Sequence, residues 1–156
     1  MDMKIKQQYK GLNLIYLIIL GSMSAAAILA VYFVFKAGAL SIYEFDEQNI
    51  IKSVIIIALL VGIPVGHIFY QKKMKHINVD LNLGKKINMF KTAFIIRIAM
   101  LEGIGLLTLI GYLITGDKSF LYMFALVFIL FIIHAPTRQR IISDLELSDE
   151  EQEQLS

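Results

Sequence analysis

The chain has 156 residues, 57% of them hydrophobic and 18% charged, with a net charge of +2. Soluble domains run about 45–50% apolar and about 25% charged, so this balance points to a bilayer, and the small net charge gives no reason to expect a nucleic-acid partner. No cysteine is present, which excludes disulfides, thiolate metal sites, cysteine nucleophiles and a lipoprotein anchor.

The apolar residues fall into four blocks of helix-spanning length, at about 12–35, 51–70, 92–115 and 120–135. Lys4, Lys6 and Lys10 ahead of the first block imitate a signal peptide, and Ser24-Ala25-Ala26-Ala27 imitates a cleavage site. The block continues to Phe35, however, and exceeds the usual apolar core of about 7–15 residues, so it is expected to be an uncleaved first span. Gly21 and Ala25, four residues apart, put small side chains on one helix face, where another backbone can approach.

An acidic link with Glu44, Asp46 and Glu47 leads to the second span, which contains Gly62-Ile-Pro-Val-Gly66. Pro64 cannot donate to the carbonyl of Leu60, which predicts a kink, and Gly62 and Gly66 allow close packing around it. The following stretch carries Lys72, Lys73, Lys75, Lys85, Lys86 and Lys91. Within it Ile77, Val79, Leu81 and Leu83 alternate with polar residues, but with nothing to pair with they read as an interfacial loop.

The third span keeps Arg97 and Glu102 inside a membrane-length apolar run, and Ala99 and Gly103 offer a further close-packing position. A charge near the bilayer centre costs roughly 2.5–3.5 kcal/mol, so both groups require partners or a use. Gly116 suits the C-terminus of this helix, and Asp117-Lys118 leaves only a tight turn before span four. The fourth span, nearly all large apolar residues, is expected to be the most lipid-exposed; His134 and Pro136 close it. Ile141, Ile142 and Leu145 then form a short amphipathic helix, and Ser148 with Glu151 forms a capping box. Residues 148–156 read as a frayed acidic tail after a single domain at 1–147.

The N-terminal segment, the loop 71–91 and the segment after span four hold eleven of the fifteen Lys and Arg. The positive-inside rule therefore puts both termini on the cytoplasmic side of an all-α integral membrane four-helix bundle. With that topology His67, His134 and Arg97 fall at similar depth, and Glu102 lies about 7.5 Å deeper than Arg97. Five residues turn the helix by roughly 140°, so Arg97 and Glu102 do not face one another as an i, i+4 pair would. Arg97 is expected to snorkel to the interface, and Glu102 to point into the bundle beside His67 or Arg97 of a second copy.

Glu102, Arg97, His67 and His134 are thus the candidate ion or proton site. No HExxH or ExxH pattern supports a metal, and no nucleophile elbow or phosphate-binding glycine loop supports an enzyme or a cofactor. Two readings remain: a non-enzymatic subunit or scaffold of a membrane assembly, self-associating through small-residue faces, and a proton- or cation-coupled transporter or channel with Glu102 as its titrating group.

At Arg97-Ile-Ala-Met-Leu-Glu-Gly103, Gly111-Tyr-Leu-Ile-Thr-Gly116 and Pro136-Thr-Arg-Gln-Arg-Ile-Ile-Ser-Asp-Leu145 the chain resembles an uncharacterised family of small four-span bacterial membrane proteins. The resemblance covers roughly the second half and implies a four-helix membrane fold without an assigned activity. The chain is also distantly similar to the proteolipid of rotary ATPase rotor rings, whose buried carboxylate would map to Glu102. It departs from that pattern in the expected side of its termini and in sparser glycines.

Overall fold

The computed structural model describes residues 3–41, 45–77 and 80–154. Glu44 of the acidic link, Val79 of the alternating stretch and the last two residues lie outside the described part. Six helices follow in order: α1 (Met3–Ala37), α2 (Phe45–Lys75), α3 (Leu83–Thr115), α4 (Ser119–Ile133), α5 (Arg138–Leu145) and α6 (Asp149–Gln154). No strand occurs among the described residues.

Three helices are long and apolar enough to cross a membrane, and α4 with α5 makes a fourth span only if that pair, bent by 75°, is counted as one. With 15 residues, α4 is about 22 Å long, short of a hydrocarbon core of about 30 Å. Pro136 ends the run, and α5 turns aside to pack on α3. Pro64 does not divide α2, which is one helix on both sides of it.

Local chemistry sets the helix ends. The Asn82 side chain accepts from the Lys85 amide at 2.9 Å and starts α3. Gly116, at φ 70°, ends α3 in the left-handed conformation, with its N–H bonded to the Tyr112 carbonyl. Two more carbonyls at that end, of Leu113 and Ile114, accept from the amides of Leu40 and Ser41, so the segment after α1 closes the helix terminus.

Helix α3 is the centre of the fold. Half of its most apolar window is buried, against 17% and 22% for α1 and α2. Helices α1, α2, α4 and α5 all pack on α3, and no other pair of elements packs to that extent. Two glycines that were not singled out in the sequence make this possible. A Cβ on Gly105 would come 2.7 Å from Met23 of α1 and 3.5 Å from Val127 of α4; one on Gly111 would come 2.8 Å from both Ile55 of α2 and Phe120 of α4. Gly62 seats α2 against Ile104 of α3 in the same way, with a Cβ falling 2.6 Å from that side chain, and Gly66 faces Met100 at ordinary contact distance.

The other small residues read as packing positions do not lie between helices of this chain. Gly21, Ala25, Ala99 and Gly103 are exposed, and a Cβ on Gly21 or Gly103 would meet nothing within 4 Å. The expectation that α4 is the most exposed span is also corrected. It buries Phe120, Phe124, Val127 and Phe131 within 15 residues, whereas α1 buries only Leu12, Tyr16, Met23 and Ala30 along its whole apolar run. Size, not smallness, explains this: the α4 phenyl rings fill the gaps that the α3 glycines open.

The tail, described through residue 154, carries α6. Its capping box forms, with the Glu151 amide 3.4 Å from the Ser148 hydroxyl and the Ser148 amide donating to Glu151 at 3.1 Å. What draws it back is Lys86, only 2% exposed, whose ammonium pairs with Glu151 at 2.7 Å. Burial disfavours the charged Glu151 carboxylate, yet Lys86 and the Ser148 amide outweigh it and hold the group below its ordinary range.

At the opposite end Lys52 donates to Asp117 at 2.7 Å and ties α2 to the α3–α4 turn. This hydrogen bond first, then the Ser119 amide, holds the Asp117 carboxyl at about 2, with slight burial opposing. An unfolded Asp titrates near about 4. The pair therefore stabilises the fold in full above that pH and loses its contribution as the pH falls through about 2. Its partners are 36% and 42% exposed, so its size is that of a surface pair, under about 1 kcal/mol. The stability gap between the parent and Lys52→Met is expected to be constant from about pH 7 to about pH 5 and to close below about pH 4, read as denaturation midpoints in detergent.

Alanine at Gly111 gains about 1 kcal/mol in helix propensity but meets the fully buried Phe120 ring, and overpacking of this kind costs about 1–3 kcal/mol. Thermal unfolding in detergent is expected to place Gly111→Ala below the parent and Gly103→Ala, which meets no neighbour, at or above it.

Candidate functional site

At the end of the bundle where α2 stops and α3 starts, an aromatic series links four helices. Tyr16 of α1 stacks on Phe131 of α4 with centroids 5.0 Å apart and meets Phe94 of α3 at 6.3 Å. Phe94 stacks on Phe90 at 5.9 Å, and Phe90 meets the edge of Tyr70 of α2 at 6.3 Å. Offset and edge contacts of this kind hold ring planes in place. The series fixes Tyr70, and Tyr70 in turn orders the polar groups.

The Arg97 guanidinium lies over the Tyr70 ring, 4.7 Å from its centroid. The Tyr70 hydroxyl donates to Asp144 of α5 at 2.6 Å, which leaves the ring richer in electrons beneath the cation. Arg97 also reaches Nδ1 of His67 at 3.0 Å. Arginine only donates, so Nδ1 accepts and the ring proton sits on Nε2. That nitrogen is 2.9 Å from the Gln71 amide, whose oxygen, once turned inward, accepts the proton.

Arg97 is thus buried, 8% exposed, and does not snorkel. It has no ion pair with a carboxylate among the described residues. Arg140 of α5 donates to the Ile133 carbonyl at 2.9 Å, and His134 bonds the Leu130 carbonyl. Together with His67 these groups surround a cavity of about 700 Å³, which Asp144 and Lys75 also line. A second cavity of about 360 Å³ shares Arg97, His67 and His134 and continues between α2 and α4.

The structure therefore brings three of the four candidate site residues together and leaves the fourth apart. Glu102 does not line either cavity. It is half-buried, on the α1 side of α3, and its nearest polar partner is the Ser22 hydroxyl at 3.4 Å. The expectation that Glu102 points inward while Arg97 reaches outward is reversed. The reason is the order of packing around α3: α2, α4 and α5 cover the face of Arg97. The stripe left open is Thr92, Ala99, Gly103, Leu106 and Ile110, next to Glu102. Among the described residues no three His, Asp or Glu side chains converge closely enough to hold a metal ion.

Tyr70 and Asp144 were not singled out from the sequence. Asp144 stands in a charged, amphipathic segment that gives no sign of facing inward, and only the bend after Pro136 brings it over Tyr70. Comparison with known proteins adds no further constraint: no family model, no curated protein and no solved structure matches the chain.

The Tyr70–Asp144 bond is the hydrogen-bonded tie between α2 and α5. A bond to a charged group contributes about 1.5–3 kcal/mol, and its loss acts first on the smaller element. Tyr70→Phe is expected to speed tryptic cleavage after Arg138 or Arg140 about tenfold or more, with helical content unchanged.

Proposed function

We propose that this is a small, non-enzymatic subunit or scaffold of a membrane assembly, embedded in a bacterial inner membrane with both termini in the cytoplasm. The orientation rests on the basic residues gathered at one end of the helices. The assembly role rests on a single observation: the open face of α3, floored by Ala99 and Gly103 and bordered by Glu102, Ser22, Gly21 and Ala25.

That face has the properties of a contact for another membrane helix. Small residues admit a backbone closely, and the half-buried carboxylate supplies an acceptor that lipid tails cannot satisfy. The same side continues as an apolar groove of about 550 Å³, in which Ala26, Ala30 and Phe33 of α1 oppose Leu106 and Ile110 of α3. A helix laid along this groove would cover both the apolar stripe and Glu102.

A proton- or cation-coupled transporter with Glu102 as its titrating group has less support. Glu102 opens sideways beside Ser22, away from the polar cavity around Arg97.

Because the chain lacks cysteine, single cysteines report contacts without background. Gly103→Cys in native membranes is expected to crosslink to another chain, whereas Ile129→Cys on the outer surface of α4 is not. Gly103→Leu is expected to abolish the assembly seen in mild detergent, and Glu102→Ala to weaken it by about 0.6–2 kcal/mol. A monomer in mild detergent with no Gly103→Cys adduct overturns the assembly reading.

A further inference from the structure

The two cavities around Arg97 differ in chemistry and share His67, Arg97 and His134 in their walls. The larger is lined by Arg97, Arg140, His67, His134 and Asp144. The smaller is a slot with α3 as its floor, through Met100 and Leu101, and with Gly62 and Gly66 of α2 facing Leu130 of α4. Helices α2 and α4 each pack on α3 rather than on one another, so the slot lies open between them. Gly62 and Gly66 deepen it by presenting no side chain.

The polar part carries Arg97, Arg140 and Lys75 against Asp144 and Glu146, an excess of one positive charge. Among the described residues Arg97 is buried without a carboxylate within ion-pair distance, and Asp144 accepts from Tyr70 instead. Among the described residues the Arg140 guanidinium has a backbone carbonyl, that of Ile133, as its one hydrogen-bond acceptor. Two guanidinium groups thus face one cavity with donors to spare, and a buried charge of this kind requires a counter-charge. The volume of about 700 Å³ is within the usual range for a bound small molecule, about 300–1,000 Å³.

We propose that this two-part cavity holds an anionic phospholipid, with its phosphate facing Arg97 and Arg140 and one acyl chain in the slot between α2 and α4. Basic pockets between membrane helices suit anionic headgroups, and Arg forms bidentate bonds to phosphate oxygens. Asp144 and Glu146 also border the cavity, which favours a headgroup whose hydroxyls can donate to them over one that only accepts. A glycerol headgroup on a phosphodiester meets both requirements. The inference needs the chain to be in a membrane but not the assembly role, because the open face of α3 lies on another side.

Native mass spectrometry of the detergent-purified full chain tests it, with phosphatidylglycerol, phosphatidylethanolamine and phosphatidylcholine of identical acyl chains, and glycerophosphate and inorganic phosphate as probes without tails. Phosphatidylglycerol is expected to be retained at least fivefold more strongly than phosphatidylcholine. Arg140→Gln is expected to reduce that retention roughly fivefold, the effect of one basic side chain at a membrane surface. Gly66→Leu, which fills the slot, is expected to reduce retention as well, while Ile129→Leu on the outer face of α4 leaves it unchanged. Equal retention of the three lipids, or Arg140→Gln behaving as the parent, overturns the proposal. Phosphate or glycerophosphate binding as tightly as the lipid overturns the lipid assignment in favour of a soluble anion.

Discussion

Three helices close on α3 at Gly105 and Gly111, where the approach leaves no room for a Cβ. Because α1, α2 and α4 pack on α3 far more than on one another, their positions are set chiefly by the surface α3 presents. Phe120 and Phe124 of α4 lie against these glycines, so bulk on one helix fills what is missing on the other. In the membrane proposed for this chain lipid tails are as apolar as Leu, and there complementarity of this kind, and not burial from water, decides which faces meet.

A central helix with three neighbours has one face left over. Its polar residues are divided accordingly. Arg97 falls on the covered side, where an aromatic series and Tyr70 hold it and His67 accepts from it. Glu102 falls beside the uncovered side, with Ser22 as its neighbour. Arg97 and Glu102, the charges within the apolar run of α3, are therefore solved by different means: one by groups of this chain, the other at a surface still open to a second helix.

The basic end is closed by elements that carry little apolar bulk. The bend after Pro136 lays α5 across α3, with Ile141 and Leu145 buried beneath it. Buried Lys86 then draws Glu151 and α6 onto the start of α3. Of these elements α5 reaches the cavity that Arg97 lines, through Arg140, Asp144 and Leu145. Arg97 is consequently buried without leaving the helix end where long basic side chains reach water.

Much of this was legible in the residues taken in order. Four apolar blocks predict the long helices, Ser148 marks a helix start, Gly116 marks an end, and the spacing of lysines marks one basic side. Antiparallel spans put His67, Arg97 and His134 at one level, because helix rise alone fixes depth. Rotation about the axis was not legible. Along α3 apolar residues occupy every face, so no stripe tells which side is covered, and the sequence assigned Arg97 outward and Glu102 inward. Only the packing of α1, α2 and α4 around Gly105 and Gly111 decided that phase, and with it the exposed positions of Gly21, Ala25, Ala99 and Gly103. The same holds for Asp144 and Glu151, each more than sixty residues from its partner, which meet Tyr70 and Lys86 only after the backbone turns at Pro136.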